Sequence, residues 1–278
     1  MNRNFLDKHA AHMFIYLVLT VVSALVFAPL LWVIGTSLKT YPETIAQASA
    51  LFPEIPQWQN YVEIFALAPF GRYFLNTLVV SVSVIVITLV TSAMAAYSFA
   101  RLSWKGREAV FVLYLSMLII PVHVVLVPNF ILLRELRLLN TLLALVLTRA
   151  FLPLGTFLMR QFFMGIPREL EESAIIDGCG YGRRFAAIIV PLAKPAFVTL
   201  LIVTLIMIWN DYLFPLVFIQ SRANRTLTLG LAILAGDFDI QWNLVMAATI
   251  LSISPLVITF LFAQRYFIEG VALQGTKG

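Results

Sequence analysis

Two ionisable residues, Arg149 and Asp211, interrupt otherwise apolar stretches of this sequence. An arginine at the centre of a membrane span costs about 2.5–3.5 kcal/mol on insertion scales, so it should face protein or water rather than lipid. If the two stretches cross a membrane in opposite directions, both residues reach a similar depth. Two interpretations follow and stay open: an ion pair between neighbouring helices, or charged groups that line a solute path.

Polar and aromatic residues flank Asp211 in the run Trp209-Asn210-Asp211-Tyr212. Aromatic rings stack on sugar rings and amides bond to hydroxyl groups, so Trp209, Asn210 and Tyr212 suit a path for a carbohydrate. The alternative is aromatic packing near the membrane interface together with a hydrogen bond between helices.

Another polar group lies in an apolar stretch where His123 falls between Pro121 and Pro128, with Asn129 directly after. The two prolines predict a broken or kinked helix, and such breaks are tolerated in a membrane where they line a cavity. We include Asn129 among the candidate path residues. A lone histidine here is more typical of a packed or pore-facing side chain than of a metal ligand.

Motifs for catalysis are absent from the sequence. There is no G-x-x-x-x-G-K-[ST] phosphate loop, no H-E-x-x-H and no G-x-S-x-G. The three histidines form no ligand pattern, and the single cysteine, Cys179, excludes an intrachain disulfide. We therefore predict no catalytic residue, no metal site and no enzymatic activity.

The composition indicates a membrane protein. The 278 residues are 61% hydrophobic and 12% charged, whereas soluble domains carry about 25% charged residues. The net charge of +5 does not indicate nucleic-acid binding, because the basic residues lie in short loops between apolar stretches.

Six apolar stretches are long enough to cross a membrane as helices, which need roughly 20 residues. The first is too long for the apolar region of a secretory signal, so we expect it to be retained. We predict an all-α membrane protein with one domain over residues 1–278. The predicted spans are about 13–36, 73–99, 109–132, 138–160, 196–218 and 243–264.

Basic residues predict the orientation. With six spans both termini lie on one side, and that side carries twelve lysines and arginines against six on the other. The positive-inside rule therefore makes both termini cytoplasmic. The longest outer loop, about 39–71, contains four prolines and is predicted to be an ordered cap.

The inner loop at about 161–195 predicts two short amphipathic helices joined by a glycine hinge. Pro167 suits the first position of a helix, and the acidic residues after it complement the helix dipole. Gly178 and Gly180 are predicted helix stops. Pro191 and Pro195 are predicted to end the second helix before the fifth span.

The run from Glu172 to Gly178, followed by Ile188 and Val190-Pro191, resembles the EAA loop of binding-protein-dependent importers of the ATP-binding-cassette (ABC) class. Ser173 replaces the first alanine of that pattern and Val190 replaces its leucine. The segments 160–163, 209–216 and 264–270 are similar to the carbohydrate branch, and most to its second, maltose-permease type membrane subunit.

This resemblance implies the importer-permease fold, with a coupling loop at about 164–195 that docks on a separate cytoplasmic ATPase. Glu172 would pair with a basic ATPase residue, and Gly178 would provide the turn. The docking residues implied are Glu172, Ser173, Ala174, Asp177, Gly178, Tyr181 and Phe185.

The resemblance also implies partners: a second related permease subunit, two ATPase copies and an extracytoplasmic solute-binding protein. ATP and Mg²⁺ would bind the ATPase and not this chain, which would lie in a prokaryotic cytoplasmic membrane in contact with lipid.

The alternatives are an ion-coupled secondary transporter and a membrane-embedded enzyme. A secondary transporter is expected to have several midplane carboxylates and inverted repeats. This sequence has one intramembrane carboxylate and no clear repeat. A membrane-embedded enzyme requires a catalytic constellation that is missing.

Overall fold

The computed structural model describes the backbone of residues 3–236 and 240–275, and the side chains of 12–236, 240–262 and 264. All secondary structure within these ranges is helical. In chain order the α-helices are α1 Arg3–Ser37, α2 Tyr41–Ala46, α3 Asn60–Leu67, α4 Phe70–Arg101, α5 Arg107–Ser116, α6 Leu126–Glu135, α7 Leu142–Arg149, α8 Pro153–Gly165, α9 Glu169–Ile176, α10 Tyr181–Arg184, α11 Val190–Leu192, α12 Lys194–Trp209, α13 Leu213–Phe218, α14 Leu227–Leu234 and α15 Trp242–Gly275.

The chain divides into two compact units. The first is formed by Met1–Pro69 and Leu231–Ile253, and the second by Phe70–Gly230 and Ser254–Gly278. The second unit contains α4 to α13 and with them every candidate functional residue named from the sequence.

In the first unit, the predicted outer loop is ordered around a buried lysine. Lys39 is 1% exposed, and its ammonium group donates to the carbonyl oxygens of Gln47 (2.9 Å) and Ala50 (2.6 Å). The Asn60 side-chain amide donates to the carbonyls of Ser37 and Lys39. These bonds satisfy loop carbonyls that would otherwise be buried without a partner, and the predicted ordered cap is confirmed for this part of the loop.

A capping box begins α2 in the same loop. The Thr40 hydroxyl accepts from the Glu43 amide, and the Glu43 carboxylate accepts from the Thr40 amide (2.7 Å) and hydroxyl (2.8 Å). Hydrogen bonds from the Thr40 backbone and side chain hold the pKa of Glu43 below its ordinary value, because they favour the charged carboxylate.

The core of the second unit is built around α4, which packs against α7, α8 and α12. Small residues of α4 are buried at these contacts, including Ser92, Ala93 and Ala96. A Cβ atom added to Gly155 of α8 would lie 2.7 Å from the Ser92 hydroxyl oxygen and 3.0 Å from a methyl carbon of Leu200 on α12. The three helices approach closely at this point because small residues permit it, as is typical of helix packing in membranes.

Three of the predicted spans are single long helices. His12–Ser37, Phe70–Arg101 and Trp242–Phe262 are each long and apolar enough to cross a membrane. Two bent helix pairs reach the same length together: α7 with α8, bent by 45°, and the segment Tyr181–Leu192 with α12, bent by 76°. The described residues therefore give three to five candidate spans, and the predicted count of six is not confirmed.

The third predicted span, 109–132, is not a continuous helix. It divides into α5, a 3₁₀ turn at Met117–Ile119 and α6. Pro121 has no N–H to donate to the Met117 carbonyl, and Ile120 before it is extended. The break predicted from the prolines is confirmed at Pro121. Pro128 lies in the first turn of α6, where a missing N–H costs nothing.

The fourth and fifth predicted spans are also interrupted. Pro153 is the first residue of α8, and the buried Ala150 carbonyl before it accepts a hydrogen bond from the Thr88 hydroxyl (2.8 Å). Pro215 cannot donate to the Asp211 carbonyl four residues earlier, so α12 ends at Trp209 and a separate helix, α13, follows. The predicted fifth span, 196–218, is therefore divided into two helices at the residues around Asp211.

Candidate functional site

The first helix of the inner loop, α9, begins at Glu169, after Arg168 as its N-cap residue. Pro167 lies outside the helix, so its predicted place at the first helical position was wrong by two residues. Glu169, Glu171 and Glu172 occupy the first turn as predicted, where their charges complement the partial positive charge of the helix N-terminus.

The end of α9 is fixed by Gly178. Its φ of 77° lies in the left-handed region, and its N–H donates to the Ile175 carbonyl (2.9 Å). The Cys179 N–H donates to the Ala174 carbonyl (2.9 Å), which completes a Schellman motif. The prediction of Gly178 as the helix stop is confirmed. Gly180 has extended backbone and instead precedes α10, so its prediction as a stop was wrong.

The second helical segment of the loop runs without interruption from Tyr181 to Leu192. It consists of α10, a π-helical turn at Phe185–Ile189 and α11. Pro191 lies inside this segment, so the prediction that it ends the helix was wrong; the break falls at Ala193, just before the start of α12. A π-helical turn holds an extra residue and is often found at functional sites.

Most of the predicted docking residues lie on one accessible face of the loop. Glu172, Ser173, Asp177, Gly178 and Tyr181 are exposed. Two others are less accessible: Phe185 is half-buried, with its ring centroid 5.1 Å from that of Tyr97, and Ala174 is buried.

Two isoleucines on α9 extend this exposed face, and the sequence analysis did not single them out. Ile176 is 87% exposed and Ile175 is 52% exposed. Large apolar side chains this exposed outside the apolar spans indicate a contact surface for another protein. Their signal in the sequence was two adjacent isoleucines just before the glycine stop.

The inner face of α9 carries a third residue that the sequence analysis did not single out, Glu171. Its carboxylate lies 3.3 Å from the Nε of Arg101 and accepts a hydrogen bond from the Tyr97 hydroxyl (2.9 Å). The Arg101 and Glu171 side chains are 4% and 8% exposed. The available signal was the spacing of three residues from Glu171 to Ala174, which puts both on one face of a helix.

In the core of the second unit, Arg149 and Asp211 form the ion pair that was one of the two interpretations. Arg149 is the last residue of α7, and its Nε lies 3.0 Å from the Asp211 carboxylate. The guanidinium group also lies 4.6 Å from the Phe214 ring centroid. Asp211 occupies the gap between α12 and α13, where its carboxylate accepts from the Phe214 amide (3.4 Å).

A small cavity adjoins this ion pair. Its volume of about 10 Å³ is near the lower limit for one water molecule. The polar groups in its wall besides the ion pair are the hydroxyls of Thr77 and Thr226. This cavity is far too small for a sugar ring.

The other predicted path residues do not line this cavity. Trp209 is buried, with its ring edge-on to Phe74 at 5.7 Å between centroids. The Asn210 amide is exposed and donates back to the Ile206 carbonyl of its own helix (2.9 Å). Tyr212 is 41% exposed. Asn129 is half-buried, on α6.

A membrane core of bent helices, with an amphipathic loop whose apolar and acidic face is open, is typical of the membrane-spanning subunit of a transporter. The chain belongs to the family described as "binding-protein-dependent transport system inner membrane component", which matches residues 88–272.

Similar proteins cover nearly the whole chain. It is 34% identical over 253 residues to the arabinooligosaccharides transport system permease protein AraQ of Halalkalibacterium halodurans, covering 90% of this chain and 91% of that one. It is 33% identical over 268 residues to the melibiose/raffinose/stachyose import permease protein MelC of Bacillus subtilis, covering 94% and 96%. It is 34% identical to the sulfoquinovosyl glycerol transport system permease protein SmoH of Agrobacterium fabrum, covering 90% and 88%.

The fold matches a solved importer. A chain of a bacterial ABC transporter involved in the import of the acidic polysaccharide alginate superposes with a TM-score of 0.84 at 21% identity, covering 94% of this chain and 98% of that one. The chain therefore has the importer-permease fold.

Proposed function

We propose that this chain is the membrane subunit of an ATP-driven carbohydrate importer, and that it engages its ATPase through the exposed face of α9 and α10. The observation that carries the proposal is the arrangement of that face: Glu172 and Asp177 beside Ile175, Ile176 and Tyr181, all exposed. An apolar patch with charged residues beside it suits a protein partner that buries the apolar groups and pairs the charges.

A carbohydrate is the solute class that the relatives support. The three similar permeases are named for an arabinooligosaccharide, for melibiose, raffinose and stachyose, and for a sulfoquinovosyl glycerol. These solutes share hydroxyl-rich rings and differ in size and charge. The proposal therefore extends to sugars, oligosaccharides and related polyols or sugar phosphates, without a choice among them.

The proposed assembly contains this chain, a second permease subunit, two ATPase copies and an extracytoplasmic binding protein. Support for the last comes from a solved alginate ABC transporter in complex with an alginate pentasaccharide-bound periplasmic protein, whose chain superposes with a TM-score of 0.69 at 18% identity. ATP and Mg²⁺ belong to the ATPase. We further propose a single membrane domain with six spans, in which α5 and α6 form one broken span, and with both termini cytoplasmic.

The proposed mechanism is alternating access. ATP binding draws the two ATPases together, their motion reaches this chain through α9 and α10, and the helical core opens to the binding protein. The cavity beside Arg149 and Asp211 is too small for a sugar, and we propose that α7, α12 and α13 separate there as the core opens. Asn210, Trp209, Tyr212 and Asn129 are proposed to reach the path in that opened state.

Co-purification tests the proposal. The chain is expressed with the permease and ATPase genes adjacent to its own, extracted in mild detergent and captured by a tag at its N-terminus. We expect an ATPase subunit to accompany the wild type and to be lost or much reduced with Glu172→Ala or Gly178→Asp.

The matched control is Glu135→Ala, which removes an exposed carboxylate on the side predicted to face away from the ATPase. This variant should retain the ATPase. If the wild type purifies alone and moves solute into liposomes without ATP, the importer proposal is wrong and an ion-coupled transporter replaces it.

A further inference from the structure

Arg101, the last residue of α4, contacts both the end of α8 and the inner face of α9 at the predicted cytoplasmic end of α4. Its Nη2 donates to the carbonyl oxygens of Phe163 and Ile166 (2.6 Å to the latter), and its Nε lies 3.3 Å from the Glu171 carboxylate. One side chain thus holds the end of α8 and the inner face of α9 against α4.

Tyr97, one turn earlier on α4, adds a second bond to the same carboxylate. The Tyr97 hydroxyl donates to Glu171 at 2.9 Å, and its ring packs against Phe185 of the π-helical turn. Both helical segments of the loop therefore contact Tyr97. We call Tyr97, Arg101 and Glu171 the α4 anchor.

The side chains of the α4 anchor are buried. Tyr97 and Glu171 are each 6% exposed, and the Arg101 side chain is 4% exposed. The Glu171 carboxylate has the Arg101 guanidinium within ion-pair distance and accepts a hydrogen bond from Tyr97. Separating the two charges would be costly, because each would be left buried without its partner. The anchor therefore resists sliding of α9 along α4.

Two adjacent residues of α9 lie on different faces of the helix. Glu172 faces outward, whereas Glu171 faces the anchor. Movement of the exposed face of α9 therefore acts directly on the ion pair between Glu171 and Arg101 of α4. Because α4 packs along α7, α8 and α12, that helix reaches the elements on both sides of the Arg149–Asp211 pair.

We propose that Glu171, Arg101 and Tyr97 are positioning residues for coupling: they make α4 the element that carries movement of the docking helix into the solute-handling core. This inference rests on the proposed function. In it, Glu172 governs binding of the ATPase, and Glu171 governs how much of the ATPase movement becomes transport.

The test uses the full complex in proteoliposomes, with the binding protein and a transported sugar supplied outside and ATP supplied on the ATPase side. Sugar uptake and phosphate release are measured together for wild type, Glu171→Gln and Tyr97→Phe. The Gln variant keeps the shape of the side chain and an acceptor for Tyr97 but removes the charge, and the Phe variant removes only one hydroxyl. Arg101 stays in place in both, so that its bonds to the end of α8 remain.

We expect both variants to co-purify with the ATPase and to hydrolyse ATP, but to move fewer sugar molecules per ATP. Glu171→Gln should lower this ratio by about fivefold or more, the range typical of coupling between distant sites. The double variant should lower the ratio by less than the product of the two single effects, since both residues act on one carboxylate.

The control is Glu169→Gln, which makes the same chemical change two residues earlier in α9 on an exposed side chain, and it should leave the ratio at the wild-type value. Two outcomes overturn the inference: a wild-type ratio in both variants, or loss of the ATPase from the purified complex, which would make the anchor a determinant of docking alone. Failure of the proposed function is recognised separately, since no ATPase would then accompany the wild type.

Discussion

Glu171 and Glu172 are neighbours in the chain, yet the first is bonded to Arg101 and Tyr97 inside the protein and the second is exposed. The two carboxylates thus point to different sides of α9. In the proposals above, Glu171 holds the helix to the membrane core and Glu172 meets the ATPase. A substitution at either residue therefore tests a different step.

The left-handed backbone at Gly178 predicts a specific effect of adding a side chain there. Gly178→Ala should destabilise the end of α9 by about 1–2 kcal/mol, because a Cβ disfavours this conformation. ATPase binding should weaken in the same co-purification measurement. No heavy atom lies within 4 Å of the added Cβ, so the effect is conformational and Gly178→Asn, which tolerates this region, should lose less.

Gly182→Ala is the matched control for this prediction. Gly182 lies in α10 with negative φ and also has open space around an added Cβ. Binding as strong as wild type is expected. Equal weakening by Gly178→Ala and Gly182→Ala would contradict the account of the Schellman motif.

Close packing at Gly155 predicts that even one methyl group is harmful. Gly155→Ala places a Cβ 2.7 Å from the Ser92 hydroxyl oxygen and 3.0 Å from Leu200, so these buried side chains must turn away or the helices must shift. Overpacking of this kind costs about 1–3 kcal/mol, and the melting temperature in detergent should fall. Ser92→Gly should restore part of the loss, whereas Gly165→Ala, at the open end of α8, should change little.

The Arg149–Asp211 pair predicts non-additive effects on stability. Arg149→Met or Asp211→Asn alone leaves a buried group without its partner and should destabilise by about 3–5 kcal/mol. The double variant should be closer to the wild type than either single one. Thermal unfolding of the purified chain in detergent measures all four proteins, and additive losses would show that the pair does not interact.

Labelling with a membrane-impermeant maleimide tests the orientation. Cys179 is the only cysteine in the chain and lies in the inner loop, and it is partly exposed. The native thiol is first removed by Cys179→Ser. Asp177→Cys in that background then places the single thiol at an exposed position of the same loop. This thiol should react in inside-out vesicles and not in intact cells, and Gln59→Cys in the outer loop should react in the opposite way.

Prolines show how far the sequence could predict the helices. The breaks inside the third, fourth and fifth predicted spans each coincide with a proline that withholds an N–H, at Pro121, Pro153 and Pro215. Proline alone does not locate a break, however, because Pro29 and Pro255 lie inside continuous helices. Hydropathy therefore found the apolar stretches but could not separate a kinked span from two short helices, since both have the same composition.

The bounds of α9 in the inner loop were largely predictable because their signals are local. Acidic residues at the start of α9 and Gly178 at its end act within one helical turn. The role of Glu171 was not predictable in the same way, since its partners Tyr97 and Arg101 are about 70 residues distant in sequence and meet it only in the fold. Likewise the spacing of Arg149 and Asp211 permitted a pair without requiring one.

Sugar uptake into sealed proteoliposomes is the most direct test of the central claim. The complex of this chain with its second permease, ATPase and binding protein is reconstituted with ATP available to the ATPase, and a panel of labelled sugars is offered from the opposite side. The account predicts uptake of at least one sugar against its gradient, which stops when ATP is replaced by ADP and when the chain carries Glu172→Ala. Uptake that continues with ADP, or that needs a proton or sodium gradient instead, would contradict it.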